Sequence, residues 1–133
     1  MDIQFSDATE EVLPEGSMAF GMGASAGDYD RDGDLDLYVS NMYSKAGNRI
    51  FEQIGDGVSA EVQVAAAGNF LFRKQGAGYE QVAGLEKQDQ QVAKVGWSFG
   101  GQFADFDNDG KLDLYVPSGL FTAPPEIERM DDL

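Results

Sequence analysis

Apolar residues fall on alternate positions twice along this chain, each time on both sides of an acidic stretch. Phe20, Met22, Ala24 and Ala26 alternate with glycine and serine ahead of the first stretch, and Leu35, Leu37 and Val39 alternate with Asp36 and Tyr38 behind it. Trp97, Phe99 and Phe103, then Leu112, Leu114 and Val116, repeat the arrangement around the second. A period of two predicts strands, and the interspersed glycines predict a crowded layer in which neighbouring backbones approach closely. Each unit therefore reads as strand, acidic loop, strand.

The two units are copies of one another. Residues 19–39 read AFGMGASAGDYDRDGDLDLYV and residues 96–116 read GWSFGGQFADFDNDGKLDLYV, so they align without a gap over 21 positions at an offset of 77. They share the frame D-[YF]-D-x-D-G-x-L-D-L-Y-V. An internal repeat of this kind marks one supersecondary unit used more than once.

Between the copies, residues 41–47 are turn-like and 47–53 (GNRIFEQ) form a candidate short strand. Residues 59–67 (SAEVQVAAA) predict a short helix, with Ser59 as N-cap and Gly68 as stop, although Val62 and Val64 also suit a strand. Residues 68–84 (GNFLFRKQGAGYEQVAG) predict strand, tight glycine turn, strand. The polar run 85–95 reads as a connecting loop. The tail 120–133, with Pro124 and Pro125, reads as irregular and exposed.

The acidic loops carry the candidate chemistry. Asp28, Asp30, Asp32 and Asp36 occupy the first, third, fifth and ninth positions of one loop, with Gly33 at the sixth; Asp105, Asp107, Asp109 and Asp113, with Gly110, do the same in the other. Four converging carboxylates repel one another unless a cation sits among them, and the glycine supplies the turn that folds the loop around it. Calcium suits such a set, because it takes roughly 6–8 oxygen ligands in a flexible shell whereas magnesium keeps several waters in a strict octahedron. The seventh position is Asp34 in one loop and Lys111 in the other. An ammonium cannot ligate a cation, so if both loops bind alike, Asp34 and Lys111 contribute backbone carbonyls. An EF-hand shares the D-x-D-x-D-G opening but needs a glutamate at the twelfth position and flanking helices. Here that position is Val39 or Val116 and the flanks are strands.

Composition narrows the alternatives. Nine Lys and Arg stand against 24 Asp and Glu, a formal net charge of −15, which argues against a nucleic-acid partner because phosphate binding needs a cationic footprint. Nine of those acidic residues lie in the two loops. There is no histidine and no cysteine, which excludes disulfides, thiolate sites and every Ser-His or Cys-His arrangement. No apolar run of about 18 residues predicts a membrane span, and the acidic start is not a signal peptide.

The segments AGDYDRDGDLDLYV and FADFDNDGKLDLYV resemble the FG-GAP (VCBS) repeats of calcium-binding β-propellers, such as integrin α-subunit heads and bacterial or cartilage-acidic-protein-like propellers. The resemblance implies a mainly β chain of antiparallel four-stranded blades in which the calcium loop joins the first two strands. It implies one segment over 1–133: an outer strand at 4–10, a full blade over about 19–83 with an insert at 42–67, and a half blade over about 96–119. Such a chain holds about one and a half to two blades with a short helical insert. A closed propeller needs about four to eight, so it is a piece of a larger whole or a subunit completed by other copies, with 4–10 of one chain donated to the next. The implied role is a non-enzymatic scaffold, extracellular, on the cell surface or periplasmic, with two Ca2+ sites and a protein or glycan ligand. A place in a carbohydrate-active enzyme is a weaker alternative. Trp97, Tyr38 and Tyr115 read as packing residues between blades, and Tyr29 and Phe106 as anchors of the loops.

Overall fold

The computed structural model describes residues 3–14, 19–43, 68–84 and 92–119. The architecture is mainly β. Strands β1 (Gly21–Gly27), β2 (Asp36–Asn41), β3 (Phe70–Gln75) and β4 (Gly78–Ala83) form an antiparallel sheet in sequence order, and β5 (Gln102–Ala104) pairs with β6 (Asp113–Tyr115) in a second, two-stranded sheet. A single helical turn, α1 (Thr9–Val12), precedes them. The strand suggested at 47–53 and the helix at 59–67 lie outside the described residues, as does the tail.

Residues 4–10 are not a strand. The Asp7 carboxylate accepts hydrogen bonds from the Thr9 backbone N–H (3.0 Å) and hydroxyl (2.7 Å), a local turn that competes with extended pairing. Glu10 and Glu11 then fall in the first turn of α1, where acidic side chains suit the exposed N–H groups.

The β3–β4 hairpin closes through Gly76 and Ala77, with Gln75 opposite Gly78 and Gly76 at φ 58°. Arg73 and Glu80, directly opposite each other, form an ion pair at 2.8 Å, and the Lys74 ammonium lies 4.7 Å from the Tyr79 ring centroid. The apolar run Phe70, Leu71 and Phe72 is fully buried on both faces.

The second unit lies against the first sheet and decides which face of β2 is buried. Asp36, Tyr38 and Ser40 are buried, whereas Leu37 and Val39 on the other face are only partly covered and Leu35 is exposed. Likewise Phe20, Met22, Ala24 and Ala26 are exposed, and the covered side of β1 carries Gly23, Ser25 and Gly27. Small residues stand there because the second unit comes so close. A methyl on Gly27 would meet the Phe103 ring at 2.8 Å, and one on Gly23 would meet the Gly100 backbone at 3.0 Å. The core gathers Tyr38, Leu71 and Ala83, with Tyr29, Val92, Phe103, Leu114 and Val116 packed on them.

A buried polar network ties the units together. The Asn41 backbone N–H donates to Asn69 Oδ1 (2.8 Å) and its side-chain amide to the Gly68 carbonyl (2.8 Å). Asn69 in turn donates to the Val92 carbonyl (3.1 Å) and to Ser98 Oγ (3.0 Å). Ser40 Oγ accepts from the Gly100 N–H (2.9 Å) and donates to the Gly23 carbonyl (3.2 Å).

Candidate metal centres

Each acidic loop joins two paired strands, β1 to β2 and β5 to β6, so its ends are held at one strand spacing. The chain reverses there through left-handed backbone at the fourth and sixth positions: Arg31 (φ 64°) and Gly33 (φ 95°) in the first loop, Asn108 (φ 62°) and Gly110 (φ 84°) in the second. Glycine and asparagine adopt that conformation readily, whereas Arg31 pays about 1–2 kcal/mol for it.

The same hydrogen bonds recur in both loops. Asp28 accepts the N–H groups of Asp32 (3.0 Å) and Gly33 (3.1 Å) on its two oxygens, and Asp105 accepts those of Asp109 (3.0 Å) and Gly110 (2.9 Å). Asp30 and Asp107 accept a second bond from the same fifth-position N–H, at 3.3 and 3.0 Å. Asp32 and Asp109 accept the seventh-position N–H of Asp34 and Lys111, each at 2.9 Å. Asp36 and Asp113 accept the N–H of the aromatic residue at the second position, Tyr29 at 3.2 Å and Phe106 at 3.1 Å.

Carboxylate oxygens come within 4.8 Å of one another in two groups, Asp28 with Asp30 and Asp36, and Asp105 with Asp107 and Asp109. Asp32 and Asp113 stand outside these groups, although both belong to the hydrogen-bonded loops. The donor set is entirely hard oxygen, and its concentration on a turn only nine residues long fits a divalent cation of the calcium type.

The surroundings of the loops differ. Asp36 is fully buried, and its second oxygen accepts the Lys74 N–H of β3 at 2.9 Å, so this carboxylate ties the loop to the third strand. Burial pushes its pKa above the ordinary 3.8, and Asp30 and Asp32 add to the rise, while the N–H groups of Lys74 and Tyr29 oppose it. Asp113 is exposed. In the second loop the Lys111 ammonium pairs with Asp109 at 2.8 Å and, with the Lys111 backbone N–H, holds that carboxyl below its ordinary value. Tyr29 stacks on Phe103 with ring centroids 6.5 Å apart, while its counterpart Phe106 is exposed and touches only the edge of Tyr115 among aromatic partners here described.

The reading of the sequence located both loops but missed the Lys74 N–H on Asp36 and the Asn41–Asn69–Ser98 network. No motif marks either, because both arise from contacts between residues distant in the chain.

Residues 20–51 match the family model of the FG-GAP repeat. No curated protein and no solved structure gives a match. No helix among the described residues is long and apolar enough to cross a membrane.

Proposed function

We propose that this chain is a calcium-stabilised segment of a β-propeller-type interaction scaffold that works outside the cell. The observation that carries this reading is the pair of loops with one hydrogen-bond skeleton, each gathering three carboxylates. The FG-GAP match over the first loop supports it. In the first site Asp28, Asp30, Asp32 and Asp36 would hold the ion with the Asp34 carbonyl; in the second, Asp105, Asp107, Asp109 and Asp113 with the Lys111 carbonyl. A bound ion supplies charge neutralisation and ties the two strands that leave each loop.

The scaffold role is non-enzymatic. The chain lacks histidine and cysteine, and its clustered carboxylates are committed to loop hydrogen bonds. Its ligand is a protein or a glycan presented to the exposed surface. Each site would stabilise the folded state by about 1.4 kcal/mol when calcium stands tenfold above Kd. A thermal melt of the chain in calcium and in excess EDTA tests this. The midpoint is expected to fall on chelation and to recover when calcium is restored; an unchanged melt overturns the calcium reading.

A further inference from the structure

The two acidic loops are neighbours in space. A methyl on Gly27 would meet the Phe103 ring at 2.8 Å and one on Gly23 the Gly100 backbone at 3.0 Å, so β1 runs along the segment that forms β5. Asp28 opens the first loop directly after Gly27, and Asp105 opens the second two residues after Phe103. Tyr29 joins the two: its N–H donates to Asp36 at 3.2 Å, and its ring stacks on Phe103 at an interplanar angle of 11° with centroids 6.5 Å apart. The loops therefore leave their sheets side by side.

Arg31, two residues beyond Tyr29, is the residue of the first loop that its own turn does not explain. It stands in left-handed backbone at φ 64°, where the second loop has Asn108 at φ 62°. Asparagine suits that conformation and arginine does not. Pairing within the loop does not explain it either: among the described residues the guanidinium forms no ion pair, although Asp28, Asp30, Asp32 and Asp34 flank it in the chain. Its charge reaches the second loop instead. The Asp109 carboxyl is held down first by the Lys111 ammonium and N–H, and the Arg31 charge adds to that fall. A strained residue whose side chain acts elsewhere points to a role beyond the turn.

We propose that Arg31 acts across the gap between the loops as a resident cation of the second metal site, lowering its calcium affinity so that the second loop fills after the first. The proposal rests on the calcium reading above. Arg31 and Lys111 set two positive charges against an ion approaching Asp109, and a dication feels each of them twice as strongly as a monovalent ion does. The first loop carries Asp34 where the second carries Lys111, and the second loop sends no charge back, because Asn108 holds the place of Arg31.

The test is a calcium titration of the full chain followed by NMR at the amides of Gly33 and Gly110, which donate to Asp28 and Asp105 and so report each loop separately. Arg31→Gln is expected to raise the affinity read at Gly110 by about two- to fivefold at low ionic strength. That gain is expected to vanish in about 1 M monovalent salt, where the screening length is only about 3 Å. Arg31→Lys keeps both the charge and the backbone strain, and is expected to leave the Gly110 midpoint where it was. A change confined to Gly33, or equal gains in Arg31→Gln and Arg31→Lys, overturns the proposal, since either would come from the turn itself. A parent chain that fills both loops while its Gly110 midpoint ignores Arg31→Gln refutes the proposal alone. A parent chain in which neither glycine responds saturably refutes the calcium reading and the proposal with it.

Discussion

The two acidic loops are nearly the same object in different surroundings. Both reverse through left-handed backbone at the same two positions, and both use the first carboxylate to clamp the N–H groups of the fifth and sixth residues. Yet the ninth-position carboxylate is buried and bonded to β3 in one, and exposed in the other. The loop conformation is thus written locally, by aspartates that satisfy their own turn. Burial of the site is written by strands that come from elsewhere in the chain. A cation in the first loop would bear on the whole four-stranded sheet, whereas one in the second would bear on a two-stranded ribbon.

The largest expected effect separates the two ninth positions. Asp36→Ala leaves the Lys74 and Tyr29 N–H groups without their acceptor in a buried site, and is expected to cost about 2–4 kcal/mol in urea unfolding without added calcium. Asp113→Ala removes one exposed bond and is expected to cost less than about 1 kcal/mol. Equal losses would erase the distinction between the loops.

A second comparison sets the interface between units against its counterpart. A methyl on Gly101 would drive into the Tyr38 ring, whose Cδ1 and Cε1 carbons crowd that glycine. Gly101→Ala is therefore expected to destabilise by about 1–3 kcal/mol through overpacking. Its counterpart in β1, Ala24, is exposed, and Ala24→Gly is expected to cost less, about 0.5–1 kcal/mol from backbone entropy alone. Urea midpoints of the two variants check the order.

The smallest effect is in pH dependence, where the loops carry opposite signs in the metal-free chain. Asp36 titrates above 3.8, so the folded state holds its proton longer than the unfolded state, and this group lowers stability as pH rises from 3.8 through its raised value. Asp109 titrates below 3.8 because of Lys111, so its contribution is present above 3.8 and is lost as pH falls through its lowered value. Carboxyl carbon shifts followed by NMR are expected to place the Asp36 midpoint above that of Asp109, and a reversed order would refute the assignment. Because the Lys111 pair is exposed, added salt is expected to move Asp109 back toward its ordinary value.

What sequence alone could tell follows the same division. The aspartate spacing, the glycine at the sixth position and the Gly76–Ala77 turn are local signals, and each appears as a loop or hairpin in the structure. The buried face of β2 was not legible from alternation. Tyr38 and Ser40 are covered because the second unit lies on that side, a contact between residues some 60 positions apart, as in the bond from Gly100 to Ser40, while Asp36 bonds to the Lys74 N–H of β3. For the same reason Phe20 and Met22 look like core residues by pattern yet lie exposed. The outer strand that the resemblance implies at 4–10 is not found there, because Asp7 and Thr9 form a local turn within three residues.

Calorimetric titration of the metal-free chain with calcium tests the central claim most directly. Two saturable sites of unequal affinity are expected, the tighter one lost in Asp36→Asn and the weaker one strengthened when Lys111→Ala frees the Asp109 carboxylate. Absence of saturable calcium binding, or two equal sites indifferent to both substitutions, would contradict it.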